Sequence, residues 1–227
     1  MRIGIIGPSK NEIMPFIEKL SDKKASSFAM LDFYRGSYNS IDVVALYSGV
    51  CKVNASIATQ ILIDRFNVTH IIVVGVAGGI DRKLNIGDTV ISTELAYHDV
   101  DDGILTEYHP WMKNIYFNAD SYLINLCRKI QSSKLVTQKI YFGRIVTGEA
   151  FISDFGRGHI INKYNPLCVD MESASIAHVC YVNNIPFLAI RTISDTENES
   201  GPEVFEKNCV SASINSINVL EKILEII

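Results

Sequence analysis

Short β-branched runs alternate with longer amphipathic stretches from one end of this chain to the other, and few folds accommodate that alternation. Apolar runs predict strands at Arg2–Ile6, Phe28–Ser37, Ile41–Tyr47, His70–Val74, Thr89–Glu94, Tyr141–Thr147, Leu167–Asp170 and Pro186–Ile193. Helical spacing predicts helices over Asn11–Leu20, Lys52–Phe66, Ala119–Ser132, Asp154–Lys163, Glu172–Asn183 and Glu203–Glu225. A strand followed by a helix returns to a parallel neighbour through a right-handed crossover. The expectation is therefore an α/β fold with three layers, α/β/α, around a central mixed, twisted sheet. Phe28–Ser37 and Ile41–Tyr47 read as a hairpin, which makes the sheet mixed and partly barrel-like. No repeat or Pro/Gly-rich linker breaks the pattern, so residues 1–227 are expected to form a single domain.

Composition removes several function classes. The net charge is -4 and the Lys and Arg residues are scattered, which argues against a nucleic-acid partner. No stretch is long and apolar enough to span a membrane. The apolar N-terminal run Ile3–Gly7 is too short for a signal peptide and reads as a buried first strand, so a cytoplasmic location is expected. The five cysteines are an odd number and none are at Cys-x-x-Cys spacing, so neither a disulfide framework nor a zinc site is expected.

In folds of this kind, ligands gather at the carboxyl ends of the strands. The segments there are Gly7-Pro8-Ser9, Ser48-Gly49-Val50, Gly75-Val76-Ala77-Gly78-Gly79, Asp170-Met171-Glu172-Ser173 and Arg191-Thr192-Ile193-Ser194-Asp195. The glycine cluster reads as a strand-exit turn, or as backbone that lets a ligand approach closely. It lacks the Gly-x-Gly-x-x-Gly pattern and a Walker lysine, so neither a dinucleotide nor a nucleoside triphosphate is indicated. Glu172 opens a helix and could simply complement its dipole; alternatively, its carboxylate could accept two hydrogen bonds from a ribose cis-diol. Asp195 is either a solvated loop residue or a general acid whose pKa burial has raised. Glu12 is either a first-turn helix acid or a base holding a water. His98-Asp99-Val100-Asp101-Asp102 has metal-ligand residue types, but no second histidine at helical spacing. It reads as a solvated loop, and no metal or cofactor is expected.

Together these segments resemble the bacterial 5′-methylthioadenosine/S-adenosylhomocysteine nucleosidases of the purine nucleoside phosphorylase superfamily. The matching pieces are Ile3–Gly7 with Glu12, Ser48–Ala55, Gly75–Gly79, Asn85–Asp88, Tyr97–Asp101, Gly148–Ile152, Asp170–Glu172 and Arg191–Asp195, and their order and spacing carry the likeness. The resemblance implies hydrolysis of the N-glycosidic bond of an adenine nucleoside, with methylthioadenosine, S-adenosylhomocysteine or 5′-deoxyadenosine as substrate. In that reading, Glu12 activates the attacking water, Arg191 helps orient it, and Asp195, held by Ser194, protonates adenine N7. Glu172 and Met171 bind the ribose hydroxyls, Phe151 stacks on the base, Ile152 reads the base edge through its backbone, and Phe205 closes over the ribose. Val50, Val76, Ala77, Gly78, Val169 and Asp170 complete the substrate-binding set. The resemblance also implies a homodimer with the active site completed across its interface.

The chain departs from the family pattern at three places. Val76 stands where a serine is common. The first loop reads Gly7-Pro8-Ser9-Lys10-Asn11 in place of Gly-Ala-Met, and keeps only Glu12 of the acidic cluster. Residues 102–111 replace the usual segment around the 5′-substituent. Three other readings compete: a purine nucleoside phosphorylase, a nucleosidase for a modified, futalosine-type nucleoside, and a nucleoside-binding module without turnover. A phosphorylase needs arginines for phosphate, and the first loop offers Lys10 but no Arg.

Overall fold

The computed structural model describes residues 1–152 and 156–227. In chain order the elements are β1 (Arg2–Gly7), α1 (Lys10–Ile17), β2 (Ser21–Phe28), β3 (Leu31–Tyr38), β4 (Ile41–Tyr47), α2 (Lys52–Phe66), β5 (His70–Gly79), β6 (Thr89–Tyr97), α3 (Asp102–Glu107), β7 (Phe117–Asn118), α4 (Ser121–Ser132), β8 (Ile140–Thr147), α5 (Arg157–Tyr164), β9 (Cys168–Asp170), α6 (Ser173–Asn183), β10 (Phe187–Asp195) and α7 (Pro202–Ile226). Asp154, the predicted start of the fourth helix, lies outside the described residues; the helix described there is α5.

The sheet closes on itself. Strand β5 pairs with β10, β10 with β6, β6 with β8, β8 with β9, and β9 again with β5, giving a five-stranded barrel. From β5 the sheet also continues through β1, β4, β3 and β2 as an open extension. Closure forces a fork in β5. Strand β1 pairs with β5 only over His70–Val73, whereas β9 pairs with it only at Gly78–Gly79. Strand β10 accompanies β5 from Ile71 to Gly78. The residues between the two short ladders, Val74 to Ala77, lie at a topological switch point, where open α/β sheets place their ligands.

Period-two alternation splits the apolar residues between the two faces of the sheet. Val44, Leu46, Ile71, Val73 and Ala189 pack with Ala55 and Leu62 of α2 and Ile176 and Cys180 of α6. Val43, Ala45, Ile72, Val74 and Ile190 pack with Phe16 of α1, Leu123 and Leu126 of α4, and Leu220 and Ile223 of α7. These are the outer two layers of the expected three. The structure adds β2, β7 and α3 to the predicted elements and moves several boundaries. The predicted strand starting at Phe28 is two: β2 ends at Phe28, and β3 starts at Leu31. The glycine cluster is not an exit turn, because β5 continues through it to reach β9. Ser194 and Asp195 belong to β10 itself rather than to a loop after it.

Candidate active site

The carboxyl ends of β1, β5, β9 and β10 and the start of α7 surround a cavity of about 580 Å³, its open mouth included. Glu12, Glu172 and Asp195 line it, together with Val50, Val76, Ala77, Gly78, Phe151, Ile152, Val169, Asp170, Met171, Ser194 and Phe205. Pro8 and Ala150 complete the wall and were not singled out from the sequence. Arg191 is the exception among the predicted residues. It sits inside β10, 0% exposed, and acts from behind the wall.

Arg191 organises a buried carboxylate cluster. Its Nε donates to Asp170 Oδ2 at 2.8 Å and to Ser173 Oγ at 3.1 Å, and its Nη2 donates to Glu172 Oε2 at 3.1 Å. Its Nη1 has no hydrogen-bond partner among the described residues and lies 3.9 Å from Glu12 Oε1. Burial opposes the guanidinium charge, but Asp170, Glu172 and Glu12 together outweigh it and raise the Arg191 pKa. Three carboxylates thus face one cation. For Glu172 the balance runs the other way: burial pushes its pKa up to about 7, Arg191 draws it down, and Asp170 and Glu12 push it up again. Glu172 Oε1 also accepts from the Cys51 N–H at 3.0 Å. Asp170 is fixed from its other side, where Oδ1 accepts from Thr147 Oγ1 at 2.6 Å and from the Ser173 N–H at 3.2 Å. Thr147, Ser173 and the Cys51 amide are supports to which the sequence alone assigns no role.

Glu12 reaches this cluster from the first turn of α1. Its Oε2 accepts from the Ser9 N–H at 3.1 Å and from Ser9 Oγ at 2.6 Å, which turns the side chain back over the helix start. Its Oε1 accepts from the Val76 N–H at 3.0 Å, within the stretch of β5 where β1 has left and β9 has not begun. Gly75 makes room for this arrangement. Its φ of +149° disfavours a side chain, and a Cβ there would stand 2.5 Å from both Arg191 Nη1 and Glu12 Oε1.

Asp195 lines the other side of the cavity. A register shift between Ile193 and Asp195 in the β5–β10 ladder accompanies its placement opposite Gly78. Burial raises its pKa, while the hydrogen bond from Ser194 Oγ, at 2.7 Å, and the charge of Arg157 hold part of that rise back. Asn208 of α7 fixes the strand end by donating to the Ser194 carbonyl at 3.1 Å. The Phe151 and Phe205 rings meet edge to face at 6.5 Å across the mouth. Val76 packs in a small apolar cluster with Cys209, Ala212 and Phe205.

The segment after β6 is a loop into α3 with Asp99, Asp101 and Asp102 exposed, as expected, but its side chains are engaged with the protein. His98 is half-buried against Gly148, and burial lowers its pKa. Asp99 holds Lys52, whose Nζ donates to both of its carboxylate oxygens at 3.0 Å. Asp101 is the N-cap residue of α3. Among the described residues no cluster of His, Cys, Asp and Glu has the arrangement of a metal site.

Residues 2–225 match the family described as the Phosphorylase superfamily. The chain is 36% identical over 225 residues to a 5′-methylthioadenosine/S-adenosylhomocysteine nucleosidase of Exiguobacterium sp., covering 97% of this chain and 96% of that one. Among solved structures, it is similar to the 5′-methylthioadenosine/S-adenosylhomocysteine nucleosidase of Colwellia psychrerythraea in complex with adenine. The TM-score is 0.89 and the identity 35%, over 99% of this chain and 95% of that one. The futalosine hydrolase of Helicobacter pylori has the same fold, with a TM-score of 0.90 and 25% identity over 100% of this chain and 98% of that one.

Proposed function

Because the chain belongs to the phosphorylase superfamily and, within it, to the 5′-methylthioadenosine/S-adenosylhomocysteine nucleosidases, we propose that it hydrolyses these two adenine nucleosides, and 5′-deoxyadenosine, to adenine and the 5-substituted ribose. The observation that carries this reading is the charge of the cavity floor: Glu12, Asp170 and Glu172 against Arg191 alone, with no Lys or Arg among the described residues that line the cavity. As the glycosidic bond breaks, positive charge develops on the ribosyl ring, and buried carboxylates stabilise it. Glu12 takes a proton from water as the new C–O bond forms. Glu12 Oε1 and the unpartnered Arg191 Nη1 offer an acceptor and a donor spaced to hold that water. Glu172 accepts hydrogen bonds from the ribose hydroxyls. Asp195 delivers its proton to N7, so the adenine leaves neutral. Phe151 and Phe205 exclude solvent from the base and ribose.

Product analysis with and without phosphate tests the reading. Adenine and free sugar in both conditions support it, whereas a sugar 1-phosphate formed only with phosphate overturns it. Inosine belongs in the same panel and is expected to be the poorer substrate, because Phe151, Ile152 and Asp195 are assigned to adenine. Futalosine tests the second reading, which the Helicobacter pylori likeness motivates. Preference for futalosine over methylthioadenosine would move the assignment to that substrate class.

The pH dependence follows from Glu172. Its pKa is raised above that of an unfolded glutamate, so protonation stabilises the native state. That contribution is fully present below the unfolded value and is lost as pH rises through about 7. Hydrogen bonding by the carboxylate to a diol has the opposite requirement. The expected result is therefore a kcat/KM that climbs with pH through about 7 on its acid limb, while this group's share of stability declines over the same range. A flat acid limb from pH 5 to 8 would remove ionised Glu172 from ribose binding.

Assembly is the remaining expectation. Val50, Val53 and Ile57 are exposed at helical spacing on and just before α2, and Ile104, Tyr108 and Trp111 are exposed on and after α3. Exposed apolar surface of this extent supports a homodimer. Sedimentation equilibrium is expected to give twice the chain mass; a fully active monomer at assay concentration would contradict it.

A further inference from the structure

Three strand and helix ends outside the carboxylate cluster meet around one side chain. Asp99, just beyond β6, takes both of its oxygens to Lys52 Nζ at 3.0 Å and accepts the Glu149 N–H on Oδ2 at 3.0 Å. Glu149 returns the contact, because its Oε1 accepts the Lys52 N–H at 3.1 Å. The Lys52 ammonium also lies 5.3 Å from the centre of the Tyr97 ring. Asp99, Lys52 and Glu149 therefore form a closed loop of interactions between the end of β6, the first turn of α2 and the segment that follows β8. None of the three lines the cavity.

Each of the two segments tied together leads directly to a wall of the site. Glu149 is followed by Ala150, Phe151 and Ile152, all of which face the cavity. Lys52 is preceded by Cys51, whose N–H donates to Glu172, and by Val50, which faces the cavity. The backbone on that side is held in unusual geometry: φ is +81° at Gly49 and +77° at Cys51. A non-glycine residue keeps such a φ only when its surroundings impose it. The Cys51 amide is aimed at Glu172 in this conformation. Within α2, Asn54 Nδ2 braces this turn by donating to the Val50 carbonyl at 2.8 Å, and the Lys52 N–H bond to Glu149 adds a second hold from across the site. Beside the latch, His98 is packed so closely on Gly148 that a Cβ there would fall 2.2 Å from the imidazole, which fixes the segment after β8 from beneath.

We propose that Asp99 is a positioning residue of the nucleosidase reaction: by clamping Lys52 and the Glu149 amide together, it fixes the base wall at Phe151 and Ile152 relative to the Cys51 amide that holds Glu172. The inference rests on the functional reading given above. It assigns the base and ribose walls a common support, so that loosening one loosens the other. Substrate that must touch both walls is bound less well when the support fails, whereas the groups that transfer protons, Glu12 and Asp195, stay on their own elements.

The charged and titratable groups facing Glu172 are Arg191 from β10, Asp170 from β9, Glu12 from α1 and Cys51 from the turn that precedes α2. Only the last depends on the latch. Its N–H stabilises the ionised carboxyl, so losing that bond moves the Glu172 titration to higher pH.

The test uses the full-length protein and the substitutions Asp99→Ala, Asp99→Asn and Lys52→Met, with melting curves to establish folding. KM for methylthioadenosine is expected to rise about tenfold in Asp99→Ala, the scale of one charge-assisted hydrogen bond, with a smaller change in kcat. The acid limb of kcat/KM is expected to move to higher pH. Asp99→Asn, which can still accept the Glu149 N–H but attracts Lys52 less, should fall between wild type and Asp99→Ala. Adding Lys52→Met to Asp99→Ala should cost little more, because both remove the same contact. Wild-type protein that releases adenine, alongside folded variants with unchanged KM and an unmoved acid limb, overturns the latch and leaves the functional reading standing. Wild-type protein that releases no adenine overturns the functional reading instead. The latch is then judged by calorimetry with adenosine, where unchanged affinity in the variants overturns it.

Discussion

Replacing Asp195 with Asn is expected to preserve the fold and much of the ligand affinity while lowering adenine release by about 10²- to 10⁴-fold, the usual contribution of a general acid. The substitution is nearly isosteric. Asn keeps an oxygen to accept the Ser194 Oγ hydrogen bond, and the strand end remains tied to Asn208 through the Ser194 carbonyl. An amide can still donate a hydrogen bond to N7, but it cannot give up a proton, so the base would have to depart as an anion. Burial raises the pKa of the native carboxyl, the direction a general acid needs. The measurement is adenine release under single-turnover conditions beside equilibrium binding of methylthioadenosine. Turnover within a few fold of wild type would remove Asp195 from the proton-transfer role.

Glu12→Gln is expected to suppress hydrolysis by a similar factor, roughly 10²- to 10⁴-fold, without creating a requirement for phosphate. The carboxylate has its two oxygens engaged differently: Oε1 accepts from the Val76 N–H, and Oε2 from Ser9. An amide satisfies only one of these sites as an acceptor and presents N–H groups to the other. Stability should therefore fall as well, by about 1–3 kcal/mol if a buried donor is left unpaired. Melting curves separate that loss from the catalytic one. The preference for water over phosphate has a simple electrostatic basis. Two like unit charges about 4 Å apart repel by roughly 4 kcal/mol at an effective dielectric of about 20. In Glu12→Gln that particular repulsion is gone, but Asp170 and Glu172 remain. A variant that phosphate restores, with sugar 1-phosphate as product, would show that a phosphorylase lies beneath the hydrolase.

The elements that sequence made legible are those whose side chains carry the burial signal. Helix α2 runs over Lys52–Phe66 as expected, with Ala55, Ala58, Thr59 and Leu62 inward and Asn67 in the left-handed conformation ending it. Strand β2 was missed for the converse reason. Ser21–Phe28 buries none of its residues fully and is held largely by backbone pairing with β3, with Phe28 packing on Phe33 and Phe66, so the strand carries little apolar alternation to read. Of the two readings open for the glycine cluster, the exit turn fails because the strand continues past the point where β1 leaves it, a consequence of barrel closure and therefore of distant pairing. At the site, Glu12, Glu172 and Asp195 were recognisable from family motifs and the structure brings all three to one cavity. Arg191 was recognisable too, but its place within the wall, bound to Asp170 and Ser173, was not. Ser173 directly follows the Asp170-Met171-Glu172 motif, and Thr147 directly precedes Gly148-Glu149. Ser173 also belongs to a strand-end segment read from the sequence, whereas only adjacency to Gly148 marks Thr147.

The open extension of the sheet ends in β2, and its makeup bears on how copies of this protein meet in a crowded solution. An unpaired strand edge invites another strand to dock on it, and the fibres that result are hard to reverse. Here the edge carries Asp22, Lys23 and Lys24, all exposed, at the very row where a foreign strand would have to lie. Charge at that rim makes strand addition unfavourable. The same strand, which buries none of its residues fully, thus guards the molecule against open-ended strand stacking.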